Sequence, residues 1–355
     1  MHQFKGLHPR DVLLGAQGGA VLLPVCDHYS GVEARMRKSL ELQLEMFQEF
    51  ASWVFDVTLD CEDGAPAGGE LDQAILVASL ANEALHSSKA LDGAKRRIGV
   101  RLHHVGHPAF EQDVHTVLER AAPSLSYVMI PKVESRADVD LAAQAVDAAL
   151  CEARRHAPMP LHVLIESPAA VHRAFDIAAH PRVESLSFGL MDFVSAHGGA
   201  IGASAMTVRP EEDEDTLDQF HHPLVLRAKL EIASASHAHS KVPSHCVVTE
   251  FRDMLALENA ARYASRALGY TRMWSIHPNQ IRPILKAFSP GLDEVEKAAR
   301  IMESARAQDW APIAINGTLH DRASYRYYWQ VLERAQQTGV GVPSSMQIFF
   351  GSKHL

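Results

Sequence analysis

Cysteine is scarce in this chain of 355 residues: Cys26, Cys61, Cys151 and Cys246 stand far apart, with no Cys-x-x-Cys spacing. That excludes a disulfide framework and a thiolate zinc site, and reduced thiols in a cytoplasmic protein are the expectation. Basic clusters are missing as well. With a formal net charge of -9, the chain lacks the stripe of Lys and Arg that releases counterions from a phosphate backbone, so no nucleic-acid partner is expected. Nor is there an apolar run able to span a bilayer. Residues 12–26 are too short and too glycine-rich, residues 335–352 are too rich in Gln, Ser, Gly and Thr, and residues 1–10 followed by Asp11 do not read as a secretion signal. No membrane partner follows from this. Finally, 21 histidines include no His-Glu-x-x-His string. His103, His104, His107, His221, His222 and the pair His237 and His239 are therefore assigned to surface and supporting positions.

What the chain does have is alternation. Short runs of Val, Ile, Leu and Phe are separated by longer stretches of helical periodicity, the pattern of repeated βα units around a parallel sheet. Eight runs stand out: AVLLPV (20–25), WVFDVTLD (53–60), IGVRL (98–102), SYVMIP (126–131), LHVLIE (161–166), SLSFGL (185–190), SHCVVT (244–249) and RMWSI (272–276). Most are almost continuously apolar, as strands covered on both faces must be, and eight of them match an α/β fold of the closed (β/α)8 TIM-barrel type. Between them, residues 31–50 place Met36, Leu40, Leu44 and Phe47 on one helical face. Ser135 opens the next strong helix with Asp138 in its first turn, and others begin near Glu70, Glu111, Pro168, Pro223 and Asp253.

Two segments fall outside the barrel pattern. Residues 203–220 contain EEDED (211–215) behind Gly198, Gly199 and Gly202, and read as a mobile loop that is either a solvated surface or a lid over the barrel mouth. After Pro290 come two helical stretches, 291–308 and 322–338, joined by PIAINGTLHD (312–321). The expected organisation is a catalytic barrel over residues 1–289 and a C-terminal helical extension over 290–355.

Barrel enzymes carry their chemistry at the C-terminal ends of the strands. Here those ends supply Asp60, Glu62 and Asp63 from strand two, Arg101 from strand three, Lys132 and Glu134 from strand four, Glu166 from strand five, Asp192 from strand six, and Ser275 and His277 from strand eight. Glu166 and Asp192 close two neighbouring apolar runs. Carboxylates delivered by adjacent strands to one rim form an open oxygen-ligand site for a hard divalent cation such as Mg2+.

The ordered series VTLDCEDG (57–64), VRLHH (100–104), IPKVES (130–135), LIESPAAV (164–171), SFGLMDF (187–193), SIHPNQI (275–281) and NGTLHDR (316–322) resembles the HpcH/HpaI aldolase and citrate lyase β-subunit superfamily. The likeness is closest to its CitE-like and malyl-CoA lyase branches and covers about residues 20–335. The resemblance implies a Mg2+-binding lyase that breaks or forms a carbon–carbon bond between a 2-oxo acid and an acyl thioester enolate. It implies Glu166 and Asp192 as metal ligands and Arg101 as the partner of the substrate carbonyl or enolate oxygen. Asp60, Glu62 and Asp63 would hold metal-bound water or supporting contacts, and Lys132 and Glu134 would act as an orienting pair. His277 would either contact substrate at the strand-eight rim or serve a structural turn. Asp321, in the string Gly317-Thr318-Leu319-His320-Asp321, would either move the proton at the enolate carbon or cap the last helix. In relatives the extension reaches a neighbouring subunit, so a homo-oligomer, a trimer or hexamer, is implied.

These roles agree with elementary chemistry. Two carboxylates leave coordination positions open for a chelating 2-oxo acid, and a guanidinium that never deprotonates suits an oxyanion developing on the thioester. The chain departs from the family at the end of strand one. There relatives carry a Pro-Gly pair and an arginine that contacts coenzyme A phosphates, and this chain reads Pro24-Val25-Cys26-Asp27-His28-Tyr29. Arg35, Arg37 and Lys38 on the following helix are the substitutes at hand, and the usual lysine before Ile-His-Pro gives way to Arg272, Met273 and Trp274. Three readings follow: a lyase on a malyl- or citramalyl-CoA-like thioester; an aldolase that keeps metal and oxo acid without coenzyme A; and a subunit acting on an acyl carrier protein inside a citrate-lyase-type complex.

Overall fold

The computed structural model describes residues 8–15, 22–64, 66–88, 95–155, 157–208 and 216–350. In chain order, helix α1 (Pro9–Leu14) precedes the repeating series β1 (Cys26–Ser30), α2 (Glu33–Phe50), β2 (Phe55–Asp60), α3 (Glu70–Ser88), β3 (Ile98–Arg101), α4 (Phe110–Ala121), β4 (Tyr127–Ile130) and α5 (Arg136–Glu152). The series continues with β5 (Leu161–Ile165), α6 (Pro168–His172), α7 (Ala174–Ala178), β6 (Val183–Phe188), α8 (Leu190–Ser195), α9 (Pro223–Ala238), β7 (Val242–His245), α10 (Met254–Arg266), β8 (Arg272–Ser275) and α11 (Ile281–Phe288). Strands β1 to β8 pair in sequence order, all parallel, and β8 returns to β1 through Cys26 opposite Met273. This is a closed (β/α)8 barrel, the expected fold class.

Two strands lie elsewhere than hydrophobicity places them. The first begins at Cys26, after the apolar 20–25 run, and the seventh is Val242–His245 instead of 244–249. For β1 the reason is chemical: it reads Cys-Asp-His-Tyr-Ser, and Asp27 and His28 find partners inside the barrel that a sequence pattern does not show. Arg272 sits between Asp27 (3.0 Å) and Asp56 (2.8 Å), Thr58 donates to Asp27 (2.7 Å), and Arg97 pairs with Asp56 (3.0 Å). His162 meets Glu184 at 2.9 Å and stacks on Tyr127. Most of these residues lie at or just before the beginnings of their strands and form a charged floor, in which Asp27, Asp56, His162 and Arg272 are buried because they are paired.

The helix punctuation follows the sequence. Asp138 accepts the backbone N–H groups of Glu134 and Ser135, each at 2.9 Å, to start α5, and Asp253 caps α10 through Ala256 N (2.9 Å). Helix α2 buries Met36 and Leu40 as expected, but its inner face continues through Gln43, with Leu44 and Phe47 half-buried at its flank. Gln43 is inside because its amide donates to Phe55 O and Arg97 O and accepts from Arg96. Part of the 203–220 segment is structured: Ala203–Met206 forms a 3-10 turn, and Gln219 and Phe220 are buried. The EEDED string at 211–215 lies outside the described residues.

The chain divides into two compact units, one spanning Leu23–Phe288 and the other uniting the N-terminal stretch with Ser289–Leu355. The second holds α1, α12 (Leu292–Ala307), the antiparallel strands β9 (Ile313–Ile315) and β10 (Thr318–His320), α13 (Arg322–Gln337) and α14 (Ser344–Gln347). The segment joining its two long helices is thus a hairpin. Asn316 and Gly317 both have positive φ, 49° and 76°, as the two-residue turn of a tight hairpin demands. Among the described residues, no helix is long and apolar enough to cross a membrane.

The barrel buries several histidines in the neutral form. His28, hydrogen-bonded to Ser275 Oγ at 2.6 Å, is lowered by burial from its ordinary 6.5 to about 4, and burial likewise lowers His162 and His245. Below pH 6.5 the unfolded chain therefore binds protons that the folded chain refuses, and the part of the stability due to His28 falls as pH drops from 6.5 towards 4 and then levels off. For His28 alone the loss at pH 5 is about 2 kcal/mol. Urea unfolding at pH 7.5 and pH 5 measures it, and His28→Gln will show a smaller difference between the two pH values than the parent protein.

Candidate active site

The site is built on the barrel rim, at the ends of β1 to β5. Arg101 is the last residue of β3, directly opposite Asp60, the last residue of β2. Its Nε donates to Asp60 Oδ1 at 2.7 Å and its Nη2 reaches Asp60 Oδ2 at 3.1 Å. Glu62 lies 2.9 Å from Nη1 and Asp63 2.7 Å from Nη2. Burial works against a charged guanidinium here, but Asp60 outweighs it and holds Arg101 well above its ordinary range. Asp60 is itself filled: besides Arg101 it accepts the N–H groups of Glu62 (3.1 Å) and Gly64 (2.8 Å) and the hydroxyl of Tyr29. The loop after β2 can close this way because Gly64 meets Gly31 backbone to backbone. A Cβ on Gly64 would stand 2.5 Å from Gly31 O.

Lys132 links this group to the next. Its Nζ donates to Glu62 Oε1 at 2.8 Å, while its backbone N–H donates to Glu166 Oε2 at 2.7 Å. The backbone adopts φ 53° to do so, a left-handed conformation unusual for lysine and typical of residues held at functional sites. Burial lowers the charge affinity of Lys132, yet the hydrogen bond to Glu62, with Asp192 and Glu166 nearby, leaves the ammonium above its ordinary value. Glu166 follows β5 directly. Burial, and then the like charge of Asp192, push its carboxyl up to about 7, against the lowering effect of the Lys132 N–H. Asp192 is exposed and belongs to the first turn of α8, three residues beyond Gly189, rather than to the end of β6. Glu166 lies against Gly189, where a Cβ would come 2.3 Å from Oε1 and 2.4 Å from Cγ.

Six of the expected residues thus belong to one connected group, Asp60, Glu62, Asp63, Arg101, Lys132 and Glu166, and Asp192 acts on Lys132 and Glu166 through its charge. Three others have contacts of a different kind. Glu134 is engaged through its backbone, with N–H to Asp138 and carbonyl to Arg173. His277 caps a 3-10 turn, its Nδ1 accepting from Asn279 N at 3.2 Å, and stacks on Phe251. Asp321, in the second unit, caps α13 by accepting from Ala323 N (3.0 Å) and Ser324 N (3.2 Å). Arg37 and Lys38 are exposed and tied to Glu33, Glu83, Glu41 and Glu45.

Sequence reasoning overlooked Tyr29, Trp274 and Gly189. The Tyr29 hydroxyl accepts from Arg101 Nη2 at 2.6 Å, and its ring packs against both the Arg101 guanidinium (4.6 Å) and the Trp274 ring (5.9 Å, 5° between planes). Its signal was an aromatic residue one position before the end of a strand too polar to be recognised as one.

The profile of the HpcH/HpaI aldolase/citrate lyase family matches residues 43–242. An L-malyl-CoA/beta-methylmalyl-CoA lyase from Cereibacter sphaeroides (strain ATCC 17025 / ATH 2.4.3) is 29% identical over 302 residues, 82% of this chain and 91% of that one. The crystal structure of a citrate lyase from Burkholderia xenovorans LB400 is similar over 97% of this chain and 99% of its own, at 46% identity and a TM-score of 0.77. The fold also matches that of CitE from Mycobacterium tuberculosis, crystallised with magnesium, acetoacetate and coenzyme A. There the identity is 21% and the TM-score 0.61, with 88% of this chain and 98% of that one covered. By the extent of the profile match and the 46% identity, the chain belongs to the HpcH/HpaI aldolase/citrate lyase family.

Proposed function

We propose that this chain is a Mg2+-dependent carbon–carbon lyase. Its substrate would be a 3-hydroxyacyl-CoA thioester of the malyl- or citramalyl-CoA kind, cleaved into a 2-oxo acid and an acyl-CoA or formed from them. The relatives named for this activity support the substrate class. The observation that carries the chemistry is the placement of a buried guanidinium, Arg101, in one hydrogen-bonded and ion-paired chain with Glu166: Arg101 to Glu62, Glu62 to Lys132, and Lys132 N–H to Glu166.

The donor set suits a hard divalent ion. Glu166 is a carboxylate whose charge is opposed by burial and by a second carboxylate, Asp192, a conflict that a dication relieves. Among the described residues no group of three or more His, Cys, Asp or Glu is gathered as a metal cage, and two carboxylates would leave positions for water and substrate. Glu166 and Asp192 would hold the ion, which when bound supplies Lewis-acid polarisation of the oxo-acid oxygens.

The rest falls to the protein's own side chains. Arg101 would bind the thioester oxygen and favour the enolate, since its charge is fixed and its orientation set before substrate arrives. Lys132 holds Glu62, and Asp63 and Glu62 steady the guanidinium. Asp321 would exchange a proton at the enolate carbon. It belongs to the other compact unit, and we read it as delivered from a neighbouring copy in a homo-oligomer. Its Oδ1 is taken by the α13 cap, which leaves Oδ2 for that task.

Three outcomes test this reading. The purified chain given malyl-CoA and Mg2+ will release free acyl-CoA and the oxo acid, and will lose that activity with chelator. Glu166→Gln and Asp192→Asn will each weaken Mg2+ binding in calorimetry by at least about tenfold. Unchanged affinity in both would sink the ligand assignment.

Asp321→Asn keeps a good helix cap while removing the ionisable group. Its melting temperature will stay that of the parent and turnover will fall by about 10²-fold or more; full turnover would leave Asp321 a cap alone.

Gly189→Ala will force the Glu166 carboxylate aside, costing about 1–3 kcal/mol in chemical denaturation. In the background of Glu166→Ala the same change will cost less, because the clashing atoms are gone, and a double-mutant cycle reads that coupling directly.

A further inference from the structure

A guanidinium has five N–H groups, and those of Arg101 are unevenly used. Nε gives its one proton to Asp60 Oδ1. Nη2 faces three acceptors, the Tyr29 hydroxyl (2.6 Å), Asp63 (2.7 Å) and Asp60 Oδ2 (3.1 Å). Nη1 faces Glu62 alone, at 2.9 Å. Nη1 therefore carries the N–H left over for a substrate oxygen, and its direction depends on what keeps the guanidinium plane from turning.

Asp60 fixes the Nε–Nη2 edge, and the other two carboxylates hold the rest incompletely. Asp63 has a side chain 71% exposed, and Glu62 is shared with Lys132. Tyr29 adds what they lack, because it holds the guanidinium from the face as well as from the edge. Its ring centroid is 4.6 Å from the Arg101 Cζ, and the ring is backed by Trp274, whose Nε1 is fixed on Ser187 Oγ at 3.1 Å. The hydroxyl accepts from Nη2 and donates to Asp60 Oδ2, so it joins the two ends of the ion pair.

We propose that Tyr29 is a positioning residue for Arg101: its ring supports one face of the guanidinium and its hydroxyl fixes Nη2, so that the remaining Nη1 proton points at the thioester oxygen of the substrate. Because the Tyr29 proton is already given to Asp60, the residue acts through Arg101 and not as a proton donor to substrate. This role rests on the lyase reading given above.

Tyr29→Phe keeps the ring and removes the hydroxyl, which separates the two contributions; Tyr29→Ala removes both. With malyl-CoA and Mg2+, Tyr29→Phe will lower kcat about 10- to 100-fold with KM within about threefold, since the lost orientation matters most where charge develops. Tyr29→Ala will fall further. The second readout needs no turnover. In 1H–15N spectra the Arg101 Nε–H signal, assigned by its disappearance in Arg101→Lys, will exchange with water about tenfold faster in Tyr29→Phe than in the parent. A Tyr29→Phe protein that folds normally and leaves either kcat or the exchange rate unchanged overturns the proposal. If the parent protein does not cleave malyl-CoA, the lyase reading fails, and the exchange rate still decides whether Tyr29 positions Arg101.

Discussion

The site depends on the ion pair between Arg101 and Asp60. Both residues end neighbouring strands, face each other in register, and are buried. Taken singly, each would be expensive to place there; together they satisfy one another through two hydrogen bonds. Asp60 also gathers two backbone N–H groups from its own loop and the hydroxyl of Tyr29, so the carboxylate that anchors the guanidinium also folds the loop carrying Glu62 and Asp63. Its acceptor capacity is filled by these contacts. Asp60 is thus an anchor for the group around it, and Arg101 is the member left with a proton to offer.

The barrel holds two charged layers, and comparing them shows what marks a site. The floor joins Asp27, Asp56 and Glu184 to Arg97, Arg272 and His162, with Arg272 wholly enclosed. Its charges are paired and mostly buried, with Arg97 and Glu184 partly exposed, which is what a structural network requires. At the rim the pairing is looser: Asp63, Lys132 and Asp192 are exposed, and burial, then the like charge of Asp192, push the Glu166 carboxyl up. Perturbed groups alone do not separate the two layers, because ion networks perturb as well. Access to solvent does, together with a carboxylate left without a cation.

The sequence made the barrel legible because βα alternation and cap chemistry are local signals. Ser135 with Asp138, Asp253, and Pro168 all mark helix starts where the structure has them. β1 was harder to find, since Asp27 and His28 face partners tens or hundreds of residues away, and no period records that. The rim carboxylates, Arg101 and Lys132 were legible as polar residues ending apolar runs. Tyr29 was hidden by its polar strand. Gly189 reads as an ordinary strand-end glycine until the Glu166 side chain is placed against it. Asp321 shows the limit from the other side, for a capping aspartate and a proton-transferring one have the same local sequence.

The rim carries more negative than positive charge. Five carboxylates, Asp60, Glu62, Asp63, Glu166 and Asp192, are set against two cations, Arg101 and Lys132. The floor, with three carboxylates and two guanidinium groups, is nearly balanced. An anionic oxo acid approaching the rim would meet this excess as repulsion, which Lys132 and Arg101 offset in part beside Glu166 and Asp192. The Glu166 carboxyl rises to about 7 first through burial and then through the like charge of Asp192. On the proposed lyase reading, a dication held by Glu166 and Asp192 would cancel these two charges, so that the carboxylate and keto oxygens of an oxo acid would be favourable ligands only once the cation is in place. Arg101, already neutralised by its own carboxylates, would then respond to charge that develops as the carbon–carbon bond breaks.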